Sequence, residues 1–273
     1  GNDILAWDIA KQFIEPMRLK NGYARCAEAL ERHRQSAAGF SGAAAMSNEL
    51  YGIFRPLEKY YSGRDMLVFV TDRDLEQVPF EIIGARDMLE ESHTIVYLSS
   101  ILSSFREYPE ESAALTVVDS PQRRMHQDIE MIAIRQSGIP CSMNGNVSGK
   151  IGHIFKAVAY NPLSRELRVG GERFDMLSGS AMLYLSDVES AAVTGLGNAA
   201  MLGSMYGIGG IIVNGAEIQD INSAVFAGAL YAAVRGGEGY IRAFSSAKSA
   251  LRGKARFRYP AYWSGIRLYT NGL

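Results

Sequence analysis

The apolar positions of the chain change their period near residue 65. Before it, Ile4, Leu5, Ile9, Phe13, Ile14 and Met17, then Tyr23, Cys26, Ala27 and Leu30, recur at helical spacing on either side of "KNG" at residues 20–22. A helix returns a side chain to the same face every three or four residues, so residues 4–33 read as two helices forming a hairpin. Its apolar stripe needs a partner surface, because isolated helices of this length are marginal in water. The small-residue stretch "SAAGFSGAAAMS" comes next, then a further helix near 49–61. A boundary near residue 40 is expected, between an N-terminal helical segment (1–40) and a domain spanning 41–273.

After residue 65 short β-rich runs alternate with helical patterns. The strand-like runs are "DMLVFVT" (65–71), "TIVYLSS" (94–100), "ALTVVDS" (114–120), "GHIFKAVA" (152–159), "AMLYLSD" (181–187) and "GIIVNGAE" (210–217). Helical patterns fall at 125–137, about 195–206 and 222–235. This alternation predicts an α/β fold with a mostly parallel sheet covered on both faces, a three-layer α/β/α sandwich.

Composition narrows the function classes. A chain of 273 residues and 29.9 kDa can bury a sizeable core, as one large domain or two smaller ones. With 47% hydrophobic residues, 21% charged and a net charge of −1, it is neither disordered nor a polyanion binder by overall composition, so no nucleic-acid partner is expected. No apolar run approaches the roughly 18–20 residues that cross a bilayer, and the N-terminus lacks the zones of a signal peptide, so the cytoplasm is the default location and no membrane partner is expected. The entry from Asn2 straight into a helical pattern fits a piece of a longer chain. Cys26 in a helical pattern and Cys141 in a turn-like "IPCSMNG" spell out neither a disulfide framework nor a zinc site.

Other candidate chemistry is discounted on context. "GLGNAA" (195–200) matches a dinucleotide fingerprint, with Glu217 as a ribose acid, but about nine residues separate it from the preceding strand where a phosphate turn follows at once. Close helix–sheet packing explains these small residues better, and no cofactor is expected. His33, His93 and His126 show no metal-ligand spacing and read as surface or structural, so no metal is expected. Asp72 and Asp74 sit in a turn, where Asp bonds its own backbone.

Several separated blocks resemble, in consistent order across about residues 49–273, the CHAT domain of the caspase- and separase-related peptidases. "MLVFVTDRDLEQVPFEII" is similar to that family's strand, Asp-containing turn and Leu-x-x-x-Pro-Phe-Glu block, with Pro79, Phe80 and Glu81 in register. "HTIVYLSSILSS" and "LTVVDSPQ" resemble the next two strands, "GHIFKAVAYN" the His-x-x-x-His-Gly strand, and "LYLSDVES" the Leu-Ser-Ala-Cys-Glu-Thr strand. "IIVNGAEIQDINSAVFAGALYAAVRGG" looks like the following strand, acidic turn (Asp220) and amphipathic helix. "YPAYWSGIRLYTNG" is similar to the closing His-Pro-x-x-Trp-Ala strand, with Tyr259 for the histidine and Trp263 retained.

The resemblance implies a caspase-like fold in which a histidine and a cysteine end neighbouring parallel strands about 4.8 Å apart. There an imidazole stabilises a thiolate and backbone N–H groups hold an oxyanion. Carried over position by position, the histidine falls on Ala157, the cysteine on Val188 and the glycine after the histidine on Val158. A methyl and an isopropyl group neither take a proton nor attack a carbonyl. His153 matches an earlier histidine of the strand, but four residues at about 3.3 Å each put it roughly 13 Å from position 157. Cleft-lining candidates are His153, Val158, Ser186, Asp187, Glu189 and Ser190, with Asp187 and Glu189 forming an acidic margin suited to a basic segment.

The expected function is a non-catalytic pseudopeptidase that binds a protein or peptide, whether a basic segment or an upstream helical-repeat domain. Three alternatives stay open. One is a cysteine- or serine-type endopeptidase with an unrecognised nucleophile, Ser186, Ser190 or Cys141. The second is an active peptidase whose histidine was replaced by alanine, against which the valine at 188 and the departures at 158 and 187 argue. The third is a purely structural packing role.

Overall fold

The computed structural model describes residues 4–7, 16–33, 40–71, 75, 78–84, 87–98, 114–120, 124–145, 150–156, 158–161, 166–169, 172–173, 180–186, 206–215 and 221–271. They form two compact units, one of residues 1–67 and 72–95, the other of residues 68–71 and 96–273.

The first unit begins differently from its sequence pattern. β1 (Ile4–Trp7) and β2 (Pro16–Leu19) pair antiparallel, Ile4 opposite Leu19, where a first helix was expected; α1 (Gly22–His33) and α2 (Phe40–Phe54) follow. Pro16 has no N–H to donate and disfavours helical geometry at the residue before it, so a helix could not run on through Met17; the strand at Ile4–Trp7 is a product of its pairing with Pro16–Leu19. α1 buries Cys26 and Ala29, and α2 buries Met46, Leu50, Ile53 and Phe54. The chain continues through α3 (Glu58–Tyr61), β3 (Met66–Val70), α4 (Leu89–Ser92) and β4 (Thr94–Leu98). Ahead of α4 the Phe80 and Glu81 of the Pro-Phe-Glu block are buried, and His93 bonds the carbonyl oxygens of Leu89 and Tyr61, a structural role.

The remaining elements are β5 (Leu115–Val118), α5 (Met125–Ser137), β6 (Cys141–Met143), β7 (Ile151–Ile154), β8 (Val158–Asn161), β9 (Glu166–Val169), β10 (Glu172–Arg173), β11 (Met182–Leu185), β12 (Gly210–Asn214), α6 (Asn222–Arg235), α7 (Tyr240–Arg252) and β13 (Ile266–Thr270). The fold is α/β, with a mixed, mostly parallel sheet of eight strands among the described residues, in the order β3-β4-β13-β12-β11-β7-β5-β6, flanked by helices. β6, β5, β7, β11 and β12 run parallel, a doubly wound 2-1-3-4-5 order; β13 pairs antiparallel to β12 and parallel to β4. β5, β7, β11, β12 and β13 are buried along their whole length, so they read as mainly apolar runs, into which Thr116, His153, Asn214, Arg267 and Thr270 bring buried polar groups.

Two further expectations change. "IPCSMNG" is not a turn throughout: Cys141–Met143 forms β6, the sheet's last strand, exposed at every residue and so without a burial pattern to read. "GHIFKAVA" is not one strand, since β7 ends at Ile154 and β8 starts at Val158 in a separate three-stranded antiparallel sheet, where Val158 pairs with Val169.

α5, α6 and α7 pack in succession. α5 and α6 approach closely because both carry small residues at the contact: a Cβ on Gly228 would lie 3.3 Å from that of Ala133. Gly138 ends α5 in the left-handed region at φ 72°, a conformation that favours glycine; the nearby Arg235 guanidinium is the end of a flexible, exposed side chain and could move aside. The turn into β13 is held by a buried ammonium group, Lys248 Nζ donating to the carbonyl oxygens of Trp263 and Ile266 at 2.6 Å each. Trp263 is 1% exposed, and its indole N–H reaches the Arg258 carbonyl at 3.4 Å. Trp263→Ala is expected to cost about 3–5 kcal/mol, read as a lowered denaturation midpoint, and native tryptophan fluorescence to show an iodide-shielded component that this variant loses.

Candidate functional site

In a parallel sheet all carboxyl ends open on one edge, and the natural place for a site is where neighbouring strands send their chains in opposite directions. Here β5 leads outward to β6, while β7 leads the other way to β11 and β12. The exits are level: Ile154 stands opposite both Val118 and Leu185, and the amides of Phe155 and Ser186 donate to the carbonyl oxygens of Val118 and Ile154 at 3.1 Å each.

Helix α5 ties two of these exits. Its buried stripe is Gln127, Glu130, Met131 and Ile134, an amphipathic spacing in which two polar residues occupy core positions one turn apart. Gln127 Nε2 donates to the Phe155 carbonyl oxygen at 3.2 Å, just past β7. Glu130 Oε2 accepts from the Ser186 hydroxyl at 2.6 Å, just past β11. Gln127 Oε1 also accepts the Arg124 N–H at the start of α5, so the same side chain caps the helix and holds the strand.

Around Glu130 lies a buried polar cluster. His153 on β7 and Tyr184 on β11 are register partners, both facing the helical layer; the His153 Nδ1 and the Tyr231 hydroxyl of α6 share a hydrogen bond of 2.7 Å. Glu130 Oε1 is 3.5 Å from His153 Nε2, close but longer than a normal hydrogen bond. The hydroxyls of Tyr184 and Ser223 lie near enough to favour the ionised carboxylate without hydrogen-bond geometry, so Ser186 is the bonded partner.

Burial sets the charge states. It pushes the Glu130 carboxyl up from 4.5 to about 8, against the opposing pull of the Ser186, Ser223 and Tyr184 hydroxyls. It lowers His153 from 6.5 to about 3 and raises the Tyr184 and Tyr231 phenols well above 10. Near neutral pH the cluster is a neutral acid beside a neutral imidazole.

This arrangement does not make a nucleophile. A catalytic serine needs its hydroxyl on an imidazole nitrogen and room for a substrate. Ser186 gives its hydrogen to a carboxyl group, the imidazole lies on the carboxyl's far side, and Ser186 and His153 are both 0% exposed. Both therefore sit beneath the sheet edge. Cys141 is exposed on β6, away from β7 and β11 in the strand order, and burial of part of its thiol raises its pKa; the Cys26 thiol is pushed up to about 11 by burial.

Ala157, Val188, Asp187, Glu189 and Ser190 lie outside the described residues, as do Asp72, Asp74, residues 195–200, Glu217 and Asp220. Val158 stands at the start of β8. Gln127, Glu130, Ser223 and Tyr231 were not anticipated; the available signal was a glutamine and a glutamate in register with Met131 and Ile134. Among the described residues no group of three or more His, Cys, Asp or Glu side chains is placed to hold a metal ion, and no helix is long and apolar enough to cross a membrane.

No protein-family model matches the chain, and a search of curated proteins finds no match to it.

The cluster makes a signed prediction for stability. Glu130 keeps its proton in the folded state up to about pH 8, while the unfolded chain releases it near 4.5, so its contribution is complete below 4.5 and is lost as pH rises to 8. His153 stays neutral down to about 3, while the unfolded chain takes a proton near 6.5, so its contribution is complete above 6.5 and is lost as pH falls to 3. The two slopes oppose each other between 4.5 and 6.5. Urea unfolding is expected to show a plateau there and a decline above it, of up to about 1.4 kcal/mol per pH unit. Glu130→Gln, which keeps an acceptor for Ser186, should flatten the decline above pH 6.5; an unchanged slope contradicts the assignment.

Proposed function

We propose that the protein is a non-catalytic, CHAT-like pseudopeptidase that works as a protein- or peptide-binding module. The observation that carries this is the pair of apolar residues where the resembling family has its histidine and cysteine. Ala157 and Val188 each come three residues after the ends of adjacent, parallel, in-register strands, β7 and β11. The 2-1-3-4-5 order followed by the antiparallel β13 is compatible with a caspase-like sheet, to which β4 and β3 add at the far side of β13.

The bound segment is best taken as basic. Asp187 and Glu189 flank the apolar position 188 and favour a cation over a neutral or acidic group. Ser186 adds no second reading, because its hydroxyl is committed to Glu130 in the interior.

The protein is expected to leave a diverse peptide library uncut and to take no label from thiol- or serine-directed activity probes. Turnover that disappears when one of the chain's own residues is replaced overturns the proposal.

The pairing of the two positions is tested without any substrate, in a background with Cys26 and Cys141 changed to serine. In Ala157→His/Val188→Cys the new thiol should titrate below its usual value of about 8.5, in the range of roughly 3.5–7.5, because an imidazolium beside it favours the thiolate. Alkylation rate against pH reads this, with Val188→Cys alone as the control. Identical profiles in the two variants mean that the positions are not neighbours.

A further inference from the structure

Charge is unevenly distributed along this chain. Residues 239–273 hold seven of the 28 lysines and arginines and none of the 29 acidic residues, leaving the first 238 residues with 21 basic side chains against 29 acidic. Four of the seven, Arg252, Lys254, Arg256 and Arg258, fall at alternate positions where the chain leaves α7. Lys254, Arg256, Arg258 and the neighbouring Tyr259 are exposed.

A basic residue at a helix C-terminus is ordinarily explained by the helix dipole. That accounts for Arg252 and Lys254 but not for Arg256 and Arg258, which lie beyond the helix. Lys254 and Arg258 have no ion pair among the described residues, and Arg258 rests its guanidinium 5.3 Å from the centre of the Tyr259 ring.

The loop is anchored at several points. Phe257 is 2% exposed and its ring meets that of Tyr262 edge-on at 5.2 Å; the Phe257 N–H donates to the Lys254 carbonyl oxygen at 2.8 Å. Arg252 packs over the Trp263 ring, and the Trp263 indole N–H reaches the Arg258 carbonyl. Cations held this way lose less freedom on binding than cations on a floppy tail.

We propose that loop 252–259 is a docking site for an acidic peptide segment; the loop leads into β13, whose first residue, Ile266, stands opposite Asn214 at the carboxyl end of β12, and the proposal is independent of the function proposed for the exits of β7 and β11. The choice of a peptide over a nucleic acid rests on two features. The excess of acid over base in the first 238 residues repels a long polyanion, whereas a short segment engages the loop alone. Single-stranded nucleic acid also needs successive aromatic platforms, and Tyr259, the exposed ring of this loop, is already paired with Arg258.

The test is fluorescence anisotropy of a labelled glutamate-rich peptide with the whole chain at low salt. Binding should weaken steadily as salt is added, and at least about tenfold in Lys254→Glu/Arg258→Glu. Arg55→Glu/Lys59→Glu makes the same charge change at exposed positions of the first unit and should shift binding less than about twofold. Thermal melting checks that each variant folds, and the salt titration of the unaltered chain tests the proposal even where one does not. Equal loss in both variants, no binding at low salt, salt-insensitive binding, or tighter binding of an oligothymidylate than of the peptide overturns it.

Discussion

Much of the second unit is organised by one buried hydrogen bond, from Ser186 to Glu130. A carboxyl group placed fully inside a protein is tolerated when it stays protonated or is well paired, and this one achieves neutrality through burial and position through Ser186. With Gln127 one turn away on the Phe155 carbonyl, α5 is fastened to the exits of two neighbouring strands. Their common level follows from the register of β7 and β11, and the attachment of α5 from two polar side chains among apolar ones.

The same contacts constrain the helical layer. Tyr231 meets His153 from α6, so the polar cluster needs α5 and α6 close together, and Gly228 against Ala133 permits that distance. A polar cluster of this kind contributes little net stability compared with apolar packing, but leaving one member without its partner is costly. It therefore selects one docking of the helices over alternatives that apolar burial alone would accept.

Farther along, Lys248 does comparable work with a charged group. Its ammonium holds the carbonyl oxygens of Trp263 and Ile266, joining α7 to the turn before β13, and the basic loop 252–259 is built on that turn. The two proposed surfaces differ in sign. One sits where Asp187 and Glu189 flank an apolar position, the other where four cations follow α7. Opposite partners are thus implied for the two, each matched by local charge while the chain as a whole is nearly neutral.

Local sequence was sufficient wherever burial is uniform along an element. β5, β7, β11 and β12 are mainly apolar because both faces are covered, and α5 and α6 begin and end where their periods do, so the α/β class was legible from pattern alone. Elements that depend on distant partners were not. β6 is exposed and exists through its pairing with β5, and β1 and β2 replace a helical period that Pro16 interrupts. The candidate site divides in the same way. The apolar identities of Ala157 and Val188 are written in the sequence, but the level exits of β7 and β11 are a matter of register. That His153 and Ser186 lie in the interior, with a glutamate from α5 bonded to Ser186 and close to His153, was decided only by tertiary structure, because burial is a property of what packs around a residue.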